Sequence, residues 1–129
     1  SEMCIRDRSR DDISATFDND TYVPRIPSAK NVLDLTMLGQ KNETYVISLI
    51  FSESQKDFSS IETETNSYVD LAMKYSNKIA ISSNYDLNVN LFGNNLLDRT
   101  RRNHASFVKA HVPLPASSFG FDVSLDYKF

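Results

Sequence analysis

The sequence predicts an all-β fold, an antiparallel meander of five to six strands. The strongest indication is residues 121–129, in which apolar and polar side chains alternate without a break, as on a strand with two unlike faces. Similar alternation occurs at 85–92 and at 68–75. A helix is the competing interpretation for 68–75, but the Ser and Asn residues that flank this segment favour a strand.

Composition sets wide limits on the class of protein. A chain of 129 residues fits one domain, and 40% hydrophobic with 24% charged residues is typical of a soluble protein. A membrane β-barrel is equally compatible, because its strands are apolar on one face only. The net charge of −3 argues against nucleic acid as a partner. The single cysteine can form no internal disulfide.

The amino-terminal part divides into two regions. Residues 1–11 fit no helix or strand pattern that leads into the rest, so we expect them to be unstructured. Their opening residues also resemble translated sequencing-adapter sequence, which indicates a non-native terminus. Residues 13–17 alternate and predict the end of a strand, and 18–21 have the composition of a turn. We therefore assign residues 12–129 to the folded segment.

The remaining strands follow in order. Residues 31–38 alternate imperfectly, whereas 43–51 are rich in β-forming residues. In 85–92, three polar residues share one face of the predicted strand. Asn is a poor β-former, so its presence on this face indicates that the face contacts water. The full set of predicted strands after the first is 31–38, 43–51, 68–75, 85–92 and 119–129.

The predicted connections alternate in length. Long loops are expected at 18–28, 52–66 and 96–117, and short turns at 39–42 and 76–84. Long loops on one edge and short turns on the other match the plan of an outer-membrane barrel. Strands of roughly 8–11 residues also match the length of tilted strands that cross a bilayer. These features predict the carboxy-terminal portion of a transmembrane β-barrel.

One face of the last strand is predicted to meet membrane lipid. Aromatic residues near strand ends, including Tyr75 and Tyr85, are candidates for the girdle at the membrane interface. Plain packing in a β-core is the alternative. The residues assigned to the membrane-facing strand are Phe121, Val123, Leu125, Tyr127 and Phe129.

Several segments carry a family resemblance. Residues 90–98 read Asn-Leu-Phe-Gly-Asn-Asn-Leu-Leu-Asp before the last long loop, and 68–75 form the preceding descending strand. Residues 24–27 contain two prolines at the entry to an earlier strand, and Phe129 ends an aromatic strand. Together these segments resemble the barrel of TonB-dependent outer-membrane receptors. Residues 103–115 resemble a branch of that family that includes zinc-uptake members.

The resemblance covers roughly residues 12–129 and implies the last six strands of a barrel of about 22 strands around a plug. It implies a location in the bacterial outer membrane and import of a metal chelate or similar scarce solute. The TonB system would supply energy through the missing plug domain, and Phe129 looks like the signal for the barrel assembly machinery. Because no signal peptide is found, we expect a carboxy-terminal fragment. At positions 116 and 117 this chain has Ala116 and Ser117, which differ from the residues that are usual in the zinc-related branch.

The two histidines are the candidate metal ligands. With Asp98 nearby, His104 and His111 could hold a metal ion at the extracellular mouth. The alternative, which we favour, is that both are solvent-exposed loop residues, because their spacing lacks the compact pattern of an established metal motif.

No enzymatic chemistry is predicted. Asp70, Asp86, Asp122 and Asp126 lack a partner base or nucleophile in the sequence, so we interpret them as lumen-facing or strand-end residues. No nucleophile motif or phosphate-binding loop occurs, and we expect neither catalysis nor a cofactor. The alternative function is a soluble all-β binding module of sandwich or small-barrel type. Asn, Asp and Ser dominate the polar faces of the best strands, which favours the transmembrane barrel.

Overall fold

The computed structural model describes residues 3–106 and 111–128. In this part of the chain the backbone forms six strands and no helix. They are β1 (Met3–Asp11), β2 (Lys30–Leu38), β3 (Glu43–Ser52), β4 (Tyr68–Ala80), β5 (Tyr85–Asn94) and β6 (Ser118–Tyr127). All neighbouring pairs are antiparallel and follow the order of the sequence, which confirms the predicted meander.

Two tight hairpins join strands at one edge of the sheet, here called the short-turn edge. In the turn between β2 and β3, Lys41 and Asn42 both have positive φ angles of 54° and 63°, as two-residue hairpin turns require. The N–H of Gly39 donates to the carbonyl of Glu43 at 2.9 Å and closes this turn. The turn predicted at 76–84 is shorter than expected, because β4 continues to Ala80 and pairs along β5.

The amino-terminal region corrects two expectations. Met3–Asp11 is not unstructured but pairs along the whole of β2, as β1. Residues 13–17, predicted as a strand, lie outside the strands, and Thr16 forms only an isolated bridge with Tyr22. The reason is that the open edge of β2 offers backbone donors and acceptors, which pair with any extended segment whatever its side-chain pattern.

The continuous registers sort side chains onto two faces of the sheet. Residues directly opposite one another in antiparallel strands share a face, and successive residues alternate between faces. One face, here called the apolar face, is continuous across β2–β6. Its apolar members are Leu33, Leu35, Met37, Tyr45, Ile47, Leu49, Phe51, Val69, Leu71, Met73, Tyr75, Ile79, Tyr85, Leu87, Val89, Leu91, Phe119, Phe121, Val123, Leu125 and Tyr127.

No second layer covers the apolar face within the described residues. Ile26 is the one buried hydrophobic side chain there, and Phe121 on β6 is 76% exposed. The register sets Leu125 opposite Leu87 and Val123 opposite Val89, so the apolar side chains of β5 and β6 share this face. Phe129, the last residue of the predicted set, lies outside the described residues.

The sheet is open. All six strands belong to one sheet, and β1 and β6 form its outer strands. None of the described residues forms a helix long and apolar enough to cross a membrane. The architecture is therefore a single-layer sheet with one apolar and one polar face, and long loops along one edge.

Candidate functional site

Tyrosines line the short-turn edge of the apolar face. Tyr45 lies directly opposite Tyr75, with ring centroids 5.0 Å apart, and Tyr85 lies opposite Tyr127, with centroids 5.1 Å apart. In both pairs the two ring planes are tilted relative to each other, a geometry that is favourable for aromatic pairs. The tyrosines therefore form two separate pairs, each near a short turn, because the register places Tyr75 opposite Leu91, six positions along β5 from Tyr85.

Phenylalanines line the opposite edge of the same face. Phe51 is the next-to-last residue of β3, and Phe119 and Phe121 are the second and fourth residues of β6, next to the long loops. Along β6, the path from Phe119 to Tyr127 is roughly 27 Å at about 3.4 Å per residue. With the strand tilt of a barrel this becomes a height of about 20 Å, close to the apolar band of about 25 Å in outer-membrane barrels.

The polar face carries hydrogen-bonded side chains between β5 and β6. The Nδ2 of Asn88 donates to Asp126 at 2.8 Å and to Ser124 at 3.3 Å, and the Nδ2 of Asn90 donates to Asp122 at 3.1 Å. These cross-strand bonds compensate for the low β-propensity of Asn. The asparagines therefore form part of a polar ladder rather than a set of free ligands.

A cluster of charged groups closes the polar face at the short-turn edge. The carboxylate of Asp86 is almost fully buried and lies 2.7 Å from Lys128 Nζ and 3.1 Å from Lys78 Nζ. Lys78 Nζ also lies 3.8 Å from Asp126. A buried carboxylate needs such partners, since an unpaired buried charge is costly. Asp86 is thus tied to a structural ion cluster.

Asn95 fastens the base of the loop that joins β5 to β6. Its side chain is fully buried, and its φ angle of 50° lies in the left-handed region, which Asn tolerates. Its Nδ2 donates to the carbonyls of Arg99 at 3.0 Å and Pro115 at 3.3 Å, and its Oδ1 accepts from the N–H of Arg99 at 3.1 Å. The Asn95 side chain therefore holds the first and last parts of the loop together.

Arg101 ties the same loop to the polar face. Its guanidinium pairs with Asp70 on β4 and donates to the carbonyl of Pro115 at 2.7 Å. The N–H of Leu114 donates back to the carbonyl of Arg101 at 2.8 Å. Since Asp70 lies on the polar face, Arg101 fastens its part of the loop to that face.

His104 connects the two carboxy-terminal long loops. It is 3% exposed, and its Nδ1 lies 2.7 Å from Thr65 Oγ1 in a hydrogen bond. Its Nε2 lies 3.9 Å from Glu62 Oε1, and its ring is 6.2 Å from that of Phe58. The expectation of a solvent-exposed His104 is therefore wrong, because the two loops pack around it.

The other candidate ligands lie in different surroundings. His111 is exposed, as expected, and Asp98 Oδ1 accepts a hydrogen bond from the N–H of Ser117 at 3.1 Å. Within residues 3–106 and 111–128, no group of three or more His, Cys, Asp or Glu side chains is placed to hold a metal ion. A metal role for His104 and His111 remains a prediction.

Sequence reasoning missed the residues that organise the loops. Thr65 and Arg101 gave no periodic or motif signal. Asn95 lies in the segment 90–98 and in a Gly-Asn-Asn sequence that indicated a turn, but nothing indicated that its side chain is buried. No known protein-family model matches the chain, and neither does any curated protein sequence.

Proposed function

We propose that this chain forms part of the wall of an outer-membrane β-barrel, with β2–β6 crossing the bilayer. The observation that carries the proposal is the uncovered apolar face, bounded by tyrosines at one edge and phenylalanines at the other. Lipid would cover this face, and aromatic rings would lie at the two interfaces. The polar face would line the lumen.

The folding of the loops supports the same orientation. In a soluble sandwich the polar face of each sheet points outward and meets water. Here the loop between β5 and β6 is tied to Asp70 on the polar face through Arg101. Loops that fold inward over the lumen produce this arrangement in a barrel, so the barrel is favoured over the soluble binding module.

The first strand does not share the proposed lipid contact. Arg6 and Arg8 of β1 lie opposite Leu35 and Leu33 and therefore on the apolar face. An arginine on the lipid face of a barrel costs roughly 2–4 kcal/mol at the bilayer midplane. The proposed wall therefore begins at β2.

The assignment of this barrel wall to one protein family rests on the resemblance of residues 68–75 and 90–98 to TonB-dependent receptors. On this proposal the wall belongs to a receptor of the bacterial outer membrane that imports a metal chelate or similar scarce solute. The TonB system acts through a plug domain, and the barrel assembly machinery recognises the terminal strand. The segment described contributes wall strands and loops at the mouth.

Single tryptophans test which face meets lipid. The chain contains no Trp, so one introduced residue reports alone. Val123→Trp and Ser124→Trp place the probe on opposite faces of the same strand. The full chain is refolded into phosphatidylcholine vesicles whose acyl chains carry bromine, which quenches tryptophan on contact.

We expect strong quenching of Val123→Trp and several-fold weaker quenching of Ser124→Trp. A second pair on β5, Val89→Trp and Asn88→Trp, should repeat the contrast, since Val89 lies opposite Val123. Equal quenching on both faces, or none on either, contradicts the proposed lipid contact.

A further inference from the structure

Phe92 is the one aromatic side chain that β5 and β6 place on the polar face. The other polar-face residues of these two strands are Asp86, Asn88, Asn90, Asn94, Ser118, Gly120, Asp122, Ser124 and Asp126. Phe92 is nevertheless 42% exposed. The proposed lipid contact gives this ring no role, because lipid would meet the opposite face of the sheet.

Gly120 sets the position of the Phe92 ring. The two residues lie directly opposite one another, and a Cβ atom added at Gly120 would lie 2.4 Å from Cζ and 2.5 Å from Cε2 of Phe92. The tip of the ring therefore occupies the space that a side chain at position 120 would fill. This contact holds the ring against the backbone of β6 and leaves part of its surface open.

The ring borders a depression on the polar face. The depression has a volume of about 260 Å³, and its lining includes Val46, Ser48, Ala72, Lys74, Phe92 and Asn94. Pockets for drug-sized molecules measure about 300–1,000 Å³, so this depression suits a smaller molecule, with a single ring. Along β4 it lies next to Asp70, which Arg101 ties to the loop between β5 and β6.

Lys74 provides a positive charge at this depression. It lies directly opposite Phe92 on the neighbouring strand, and its side chain is exposed. Within residues 3–106 and 111–128, its ammonium group forms no ion pair with a carboxylate. Asn94, on the same face, adds an amide group that can donate hydrogen bonds.

The nearest carboxylates of the polar face are engaged or distant. Asp70 is paired with Arg101, and Asp122 accepts a hydrogen bond from Asn90. Asp34 lies on β2, two strands from β4 and so roughly 10 Å away across the sheet. An anion beside Lys74 therefore meets an uncompensated positive charge.

We propose that this depression binds a small aromatic carboxylate. The ring of the ligand packs against the exposed part of Phe92, since aromatic rings attract one another at centroid distances of about 4.5–7 Å. Its carboxylate accepts charge-assisted hydrogen bonds from the Lys74 ammonium group. Ring and charge are adjacent in such a ligand, as Phe92 and Lys74 are adjacent in the sheet.

This inference goes beyond the proposed function and does not rest on it. It assigns a ligand to the polar face, whereas the proposed lipid contact concerns the apolar face. Quenching of the introduced tryptophans reads the apolar face and ligand binding reads the polar face, so either result can fail while the other stands. In the proposed barrel, the depression would lie in the lumen beside the long loops.

Equilibrium dialysis of radiolabelled benzoate tests the site. The full chain is refolded in detergent micelles, and uptake by micelles without protein is subtracted. We expect saturable binding of one benzoate per chain. Benzyl alcohol, which keeps the ring without the charge, and cyclohexanecarboxylate, which keeps the charge without the aromatic ring, should bind roughly fivefold more weakly or less. Absence of saturable benzoate binding, or equal binding of either analogue, overturns the proposal.

Two substitutions locate the binding on the sheet. Lys74→Gln and Phe92→Leu should each weaken benzoate binding by roughly fivefold or more. The matched controls are Lys41→Gln, in the turn between β2 and β3, and Phe121→Leu, on the apolar face of β6. Both controls should bind benzoate within about twofold of the wild type. Equal losses in the variants and their controls contradict the assignment.

Gly120→Ala tests whether the position of the ring matters. The φ angle of Gly120 is not positive, so the backbone accepts alanine, but the new methyl group displaces the ring of Phe92. We expect benzoate binding to weaken by roughly threefold or more in the wild-type background, and not to weaken further when Phe92→Leu is already present. Unchanged binding by Gly120→Ala, or additive losses in the double variant, would refute the role of the held ring.

Discussion

Asn95 offers the most direct test of how the loop between β5 and β6 is held. Its buried side chain makes three hydrogen bonds, two to Arg99 and one to Pro115. Each is worth about 1 kcal/mol net, so the loss of all three should weaken the closed loop by roughly 3 kcal/mol. Asn95→Gly removes these bonds but accepts the φ angle of 50°.

Asn95→Ala adds a backbone penalty to the same loss. An L-residue with a Cβ atom costs roughly 1–2 kcal/mol in the left-handed region. We therefore expect Asn95→Ala to destabilise the closed loop more than Asn95→Gly does. The order of the two variants separates the side-chain contribution from the backbone contribution.

Trypsin provides the assay, because Arg99, Arg101 and Arg102 lie in the loop. If cleavage requires opening of the loop and reclosing is fast, its rate follows the population of the open form. Since 1.4 kcal/mol is a factor of ten, Asn95→Gly should be cleaved on the order of 100-fold faster than the wild type, and Asn95→Ala faster still.

The neighbouring Asn94→Ala serves as the matched control. Asn94 is exposed on the polar face at the end of β5, and its truncation leaves the contacts of Asn95 in place. We expect cleavage of this variant within threefold of the wild-type rate. The reasoning is refuted if the Asn95 variants are cleaved no faster than Asn94→Ala, or if Asn95→Gly is cleaved faster than Asn95→Ala.

Three further results are expected. Arg101→Met should expose the loop to hydrogen exchange at Leu114, because removing one partner of a buried ion pair costs about 3–5 kcal/mol, and adding Asp70→Asn should restore part of the protection. Without detergent the chain should aggregate through its uncovered apolar face. A soluble monomer with cooperative melting would contradict the proposal that the chain forms part of a barrel wall. In a zinc titration the isolated chain should bind weakly or not at all. In the full-length receptor that we propose, unchanged zinc-limited growth and zinc binding after replacing His104 and His111 with Ala would exclude a metal role for these two residues.

The strands and their faces could be predicted because the signal is local. Alternation over a few residues assigns each side chain to a face, and the apolar residues of 85–92 and 121–127 lie opposite one another as expected. The same local signal located the hairpin at 39–42. It gave no information on how far β4 continues, since Lys78 and Ala80 belong to the strand only through their partners on β5.

The loop contacts could not be predicted because they join distant positions. Thr65 and His104 are 39 residues apart, and Asp70 and Arg101 are 31 apart. Thr65, Arg101 and His104 lie outside the periodic segments, and a single sequence carries no sign that the two loops meet. The burial of His104 follows from that meeting, so its surroundings were assigned wrongly while those of His111 were assigned correctly.

β1 shows that backbone pairing and side-chain pattern are separate constraints. Its backbone pairs with β2 residue by residue, yet it places Arg6, Arg8 and Arg10 on the face that is apolar in every other strand. Backbone hydrogen bonds accept this mismatch, whereas a lipid environment would not, because charge on that face is costly at membrane depth. The sheet therefore has one strand more than the wall that we propose. The alternation of apolar and polar residues is absent from β1 and therefore did not predict it as a strand. The same absence marks the boundary at which the proposed lipid-facing surface ends.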